Sequence, residues 1–228
     1  MSIYATNEGN GGMKFDPIEN GTHVATCVQM IHIGTIEDEF DGKPVKGNKV
    51  RITFELPNEL VKFKDDEPEQ PRFISKEFTL SMNEKAGLRK FLNSWRGVPF
   101  TEDEAKRFDI TKLLGLPVML SITTKTSKTG KQYNDILSAS ALIKGMNAPE
   151  ILTEVFEINY ENISETWSKI PNFLREKMAT TPEYTASGFI FPADDQTPKN
   201  EPKDAPETEE TSEEIDPLTG KKKDGLPF

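Results

Sequence analysis

The stretch LPVMLSITTKTSKTGKQYNDILSASA, Leu116 to Ala141, predicts two strands joined by a basic turn. Val118, Leu120 and Ile122 alternate with Met119, Ser121 and Thr123, the two-residue period of a strand with one buried face. Beyond the turn, Tyr133, Asp135 and Leu137 alternate with Asn134, Ile136 and Ser138. The turn carries Lys125, Lys128 and Lys131, and Gly130 supplies the positive φ that such a hairpin needs. Taken alone the stretch fits two roles. It is an exposed hairpin whose lysines keep an edge soluble, or a charged finger that grips a nucleic-acid backbone while Tyr133 offers its ring to a base. The rest of the chain has to choose.

Upstream, Gly21 to Ile33 reads as a first strand with Val24, Val28 and Met30 as core residues, and Gly34 to Asn48 as a loop with Phe40 at its tip. Asn48 to Leu56 is the cleanest alternation in the chain: Val50, Ile52, Phe54 and Leu56 face one way, Lys49, Arg51, Thr53 and Glu55 the other. Pro57 stops it, and Asn58 to Pro71 reads as an acidic loop. In the third strand, Arg72 to Ser81, Arg72 and Lys76 share the parity of Ile74 and Phe78, and Phe73 points oppositely. A helix follows from Asn83 to Arg96, with Asn83 as N-cap, Gly97 as C-cap, and Leu88, Phe91, Leu92 and Trp95 on one face. Thr101-Glu-Asp-Glu104 is a capping box that opens a second, short helix.

Five strands with a helix between the third and fourth make this a mainly β chain with the element order of the five-stranded Greek-key barrel called the OB-fold. That fold binds its ligands on the outer face of strands two and three and on the adjoining loops. Here strands two and three carry Lys49, Arg51, Arg72, Phe73 and Lys76, with Lys125, Lys128, Lys131 and Tyr133 on the hairpin that closes the groove. A cationic track follows phosphates and aromatic faces accept any base, so the layout suits single-stranded nucleic acid.

The net charge of −10 over 228 residues opposes that reading when taken as a sum, but the charge is unevenly placed. Gly12 to Gly145 holds 20 Lys/Arg against 19 Asp/Glu, whereas Ala193 to Phe228 holds 5 against 11. A neutral-to-basic body carries an acidic rear. Cys27 is the sole cysteine, which excludes a disulfide framework and a cysteine-rich zinc cluster. His23 and His32 have no third ligand in view, so neither a metal nor a cofactor is expected. No nucleophile–base set or phosphate-cradling glycine loop is visible, which argues against an enzyme. No apolar run is long enough to span a bilayer and the N-terminus lacks a signal peptide's pattern, so the expectation is a cytoplasmic protein without membrane contact.

Four regions follow: a flexible arm (residues 1–12), the OB domain (13–145), a helical extension (146–192) and a disordered acidic tail (193–228). In the extension, Ile163 to Trp167 and Asn172 to Met178 read as helical pieces that pack on the barrel or serve a homo-oligomer. The tail stays polar over most of its length and closes on Leu226-Pro227-Phe228 after Asp224, an apolar peptide ligand on an acidic tether, suited to a basic, hydrophobic pocket.

The segments Leu88–Gly97, Pro99–Glu102, Leu113–Gly115, Gly130–Tyr133 and Pro171–Lys177 resemble a group of bacteriophage proteins encoded among replication genes, over roughly Met13 to Tyr184. The tip Asp224-Gly-Leu-Pro-Phe228 resembles that of bacterial single-stranded DNA-binding proteins, which end in several aspartates and Ile-Pro-Phe; the run Lys221–Lys223 departs from their wholly acidic approach. The resemblances imply an OB-fold single-stranded DNA-binding protein of phage replication, recombination or repair, acting in the host cytoplasm. Its tip would recruit replication and recombination proteins, and its tail would compete with DNA. The alternative is an OB-fold adaptor of such a complex that binds protein and no DNA.

Overall fold

The structure, a computed structural model, describes residues 16–40, 43–62 and 68–190. It is mainly β. Strands β1 (Gly21–Phe40), β2 (Lys43–Val61), β3 (Gln70–Thr79), β4 (Pro117–Thr126) and β5 (Gln132–Ser140) form a sheet in the order β3-β2-β1-β4-β5, every neighbouring pair antiparallel. A short β6 (Phe156–Ile158), which the sequence reading missed, adds to β1 in parallel. The helices are α1 (Gly87–Arg96), α2 (Glu102–Arg107), α3 (Ile163–Thr166), α4 (Asn172–Ala179) and α5 (Pro182–Ser187). The expected helix between strands three and four is α1. Among the described residues no helix is long and apolar enough to cross a membrane.

The main core lies between the sheet and α1. Leu88, Phe91, Leu92 and Trp95 of α1 are buried against Phe54 and Phe78, with ring centroids 4.9 Å apart for Phe78–Phe91 and 5.6 Å for Phe54–Trp95. Each such side chain contributes about 1.5–3 kcal/mol by leaving water. Trp95 also donates its indole N–H to the carbonyl of Pro117 at 3.0 Å, tying α1 to the start of β4. Gly97 ends the helix in the left-handed region, at φ 74°, as expected of it. The Thr101–Glu104 capping box is present on α2. Asn83, by contrast, lies before the helix: α1 starts at Gly87 with Ala86 as its N-cap, and the Asn83 carboxamide accepts from the Lys85 amide instead.

β1 serves two cores because its register slips. Ala25 and Cys27 face the main core; a shift between Cys27 and Gln29 changes the parity, so Met30 joins them while Ile31 and Ile33 turn to the other side. There they pack with Ile158, Ile163, Trp167, Ile170, Leu174 and Met178. The helical extension therefore packs on the sheet of its own chain. The bulge at Gly34 makes this docking possible. Its φ is +98°, and a Cβ there would sit 2.7 Å from the Tyr160 hydroxyl and 2.9 Å from both Glu183 and Thr181. Glu183 accepts from the Thr35 amide at 2.8 Å and from its hydroxyl at 2.6 Å.

The region expected to be a loop, Gly34 to Asn48, is mostly strand: β1 and β2 run on together from the pair Thr35–Asn48 to the pair Phe40–Lys43. Glu37 and Lys46 lie directly opposite and form an ion pair at 2.8 Å, the cross-strand contact that acidic and turn-rich composition concealed. β2 likewise continues past Pro57 to Val61. The proposed arm (1–12), the acidic tail and its tip residues Asp224, Leu226, Pro227 and Phe228 lie outside the described residues.

Candidate nucleic-acid interface

The outer face of β2 and β3, where the sequence placed the groove, is largely roofed by the helical extension. Arg51 pairs with Glu77 at 3.4 Å and lies 5.2 Å from the ring centre of Phe173 on α4; burial lowers its pKa, opposed by Glu77. Lys177, also on α4, holds the other oxygen of Glu77 at 2.6 Å. Thr53 is buried and bonded to Gln29 and Ser75, each at 3.0 Å. Glu55 is wholly buried and accepts from the Leu152 amide at 2.9 Å and from the Thr153 hydroxyl. Lys49, opposite Thr79, sits half-buried at the far end of this face. Phe73 alone of the predicted set on this face stays open, at 42% exposed.

A second grouping forms where the two edge strands meet. Lys76 of β3 reaches across to β5 and donates to the Ile136 carbonyl at 2.6 Å and to Asp135 at 3.1 Å. Lys125 of β4 takes the second oxygen of Asp135 at 2.6 Å, and Tyr133 is its cross-strand partner. Burial works to raise the Asp135 carboxyl, but the hydrogen bonds and charges of Lys125 and Lys76 outweigh it and hold the group below its ordinary value. The same hydrogen bond raises the Lys125 ammonium above its usual value, so both groups stay charged at neutral pH.

The basic turn continues the patch. Ser127 donates to the Lys131 carbonyl at 2.8 Å and Gly130 to that of Ser127 at 2.9 Å, with Gly130 at φ +82°, as its sequence position predicts. Lys128 and Lys131 are exposed. Further along β5, Asn134, the cross-strand partner of Thr124, clamps Ile18 by two bonds of 2.8 and 2.9 Å, which fixes the hairpin against the segment before β1.

Of the predicted residues the structure thus brings Lys76, Lys125 and Tyr133 to one strip along the β3–β5 seam, with Lys128 and Lys131 on the turn at its end, whereas Phe73, paired with Glu55, projects from the opposite face of β3 to Lys76. Arg51 is kept out of the strip by α4; Arg72 is half-buried beside Glu59 and Asp16, and burial lowers its pKa against their opposing charges. Asp135 is the residue that sequence reading missed. Its parity with Tyr133 was visible, but its two lysine partners come from β3 and β4, and no local pattern joins them. Chemically the strip offers ammonium groups and the ring of Tyr133. An ammonium carries three donors, so holding Asp135 does not exhaust Lys125 for a phosphate oxygen. No family model, curated protein or solved structure matches this chain.

Proposed function

We propose that this protein binds single-stranded DNA on an OB-type barrel whose nucleic acid lies along the β3–β5 seam. The strand order β3-β2-β1-β4-β5, with α1 between β3 and β4, is compatible with an OB barrel, and the bond from Lys76 to the Ile136 carbonyl joining the two edge strands supports that reading. The observation that carries the reading is the convergence of Lys76 and Lys125 on Asp135 beside the half-buried Tyr133. Stacking on such a ring contributes about 1–3 kcal/mol per base, and lysine–phosphate contacts add a term that salt weakens. Neither depends on base sequence. The protein would serve phage replication and recombination in the bacterial cytoplasm, and its tip residues Asp224, Leu226, Pro227 and Phe228 would recruit the enzymes of that process.

The roofing of the β2–β3 face by α4 and Leu152–Thr153 favours a second reading, in which the barrel is a protein adaptor with no DNA binding of its own. Photocrosslinking to a bromodeoxyuridine oligonucleotide separates the two. The proposed path predicts crosslinks on peptides containing Tyr133. Crosslinks confined to α1 and α2, or none above those of a duplex control, would favour the adaptor.

A further inference from the structure

An apolar groove of about 760 Å³ lies beyond the far end of β5 from the basic turn, a volume in the range that holds small ligands or a few side chains. Leu92 and Trp95 of α1, with Phe100, form its buried floor, and Phe108, Leu116 and Leu142 its walls. Leu116 is left 46% exposed. Arg96 stacks 4.8 Å from the Phe100 ring and pairs with Glu104 at one end. Arg107 and Lys112 also line it, with Asp103 as the remaining acid, so three cations meet two carboxylates.

The geometry points to Leu226-Pro227-Phe228 of the same chain as the occupant of this groove. Phe228 is the single aromatic residue in 193–228, a stretch with 11 acidic and 5 basic residues. An aromatic side chain beside a leucine suits a floor built from Trp95 and Phe100; at the charged end Asp224 can face Arg107 and Lys112 while Lys221–Lys223 face Asp103 and Glu104, so the fit rests on the apolar side chains and not on net charge. Reach does not limit the contact. From Ile190 to Leu226 the chain can span about 120 Å at roughly 3.3 Å per residue, several times the radius of a domain this size. A tethered ligand also enjoys an effective concentration up to the millimolar range, so a modest contact suffices within one chain.

The groove and the basic strip sit apart. Tyr133 to Ala141 is eight residues of extended chain, about 26 Å at 3.3 Å each, so tip and DNA can be held together. Docking there stores the tip until a partner with a better pocket displaces it. This goes beyond the DNA reading and does not rest on it.

The test uses the full chain without nucleic acid, with p-benzoylphenylalanine in place of Phe228, irradiated over a hundredfold range of protein concentration. The expected result is a monomer-sized product crosslinked to Phe108, Leu116 or Leu142, with a yield independent of concentration. Leu116→Glu should lower that yield at least tenfold without changing the melting temperature. Crosslinks to Phe73 or the β4–β5 turn, a dimer-sized product, or no crosslink would each overturn the assignment. Because no DNA is present, such a failure is separable from a failure of DNA binding.

Discussion

At the scale of single residues, three side chains carry separable consequences. Phe73 is an exposed ring that supports no core, so Phe73→Ala should leave thermal unfolding within about half a kcal/mol of the parent. If a base stacks there, the affinity for oligo-dT should fall by about 5- to 150-fold, the equivalent of 1–3 kcal/mol. Equal affinity for the two proteins would remove Phe73 from the interface. Gly34 makes the opposite case. Alanine at φ +98°, pressed against Tyr160, Thr181 and Glu183, costs about 1–3 kcal/mol in backbone strain before any clash, and differential scanning calorimetry should show a melting point several degrees lower. The third residue is Glu104. The hydrogen bond from Arg96, followed by that from the Thr101 amide, lowers its carboxyl from 4.5 to about 2. A lowered folded-state pKa stabilises above the unfolded value, so this contribution is complete above about pH 4.5 and disappears as pH falls toward 2. Melting curves of Glu104→Gln between pH 5 and 2 should lack that component of the acid sensitivity; an identical pH profile would contradict the assignment.

At the scale of elements, the docking of the extension rests on few polar contacts and one apolar cluster. Glu55 presents a buried carboxylate to Leu152 and Thr153. Glu55→Ala leaves their donors unpaired and should cost about 1–3 kcal/mol. Hydrogen exchange at Leu152 should accelerate while that of β4 stays slow. Unchanged protection at Leu152 would show that this carboxylate does not hold the segment. Much of this architecture was legible in the sequence. The alternation of Val50–Leu56 and of Val118–Ile122, the apolar face of α1, the capping box at Thr101 and the glycines at 97 and 130 are local signals, and each stands where its period or turn chemistry placed it. What could not be read was long-range. The β1–β2 ribbon beyond Gly34 is held by pairing across strands, not by composition. The cover over Arg51 comes from Phe173 and Lys177, more than a hundred residues later. The face that looked open in the sequence was therefore largely taken, and the candidate strip moved to a seam whose organiser, Asp135, had looked like one polar residue in an alternating strand.

At the scale of the whole molecule, the proposed path of DNA runs along the seam and not across the β2 face. Arg51→Ala should thus change oligo-dT affinity by less than twofold, whereas Lys125→Ala should weaken it and reduce the slope of log K against log salt by about 0.7, one phosphate contact on a single strand. A large loss for Arg51→Ala with none for Lys125→Ala would return the path to β2. The acidic tail adds a global effect: with 11 acids against 5 bases in 193–228, it can compete with phosphate for the strip, and its removal should tighten DNA binding at low salt. The central claim is single-strand binding itself, and fluorescence anisotropy of a labelled oligo-dT titrated with full-length protein over a salt series tests it most directly. The account predicts tight binding that weakens steeply with salt and resists competition by duplex DNA. Flat anisotropy at the lowest salt, with and without the tail, would contradict it and leave the adaptor.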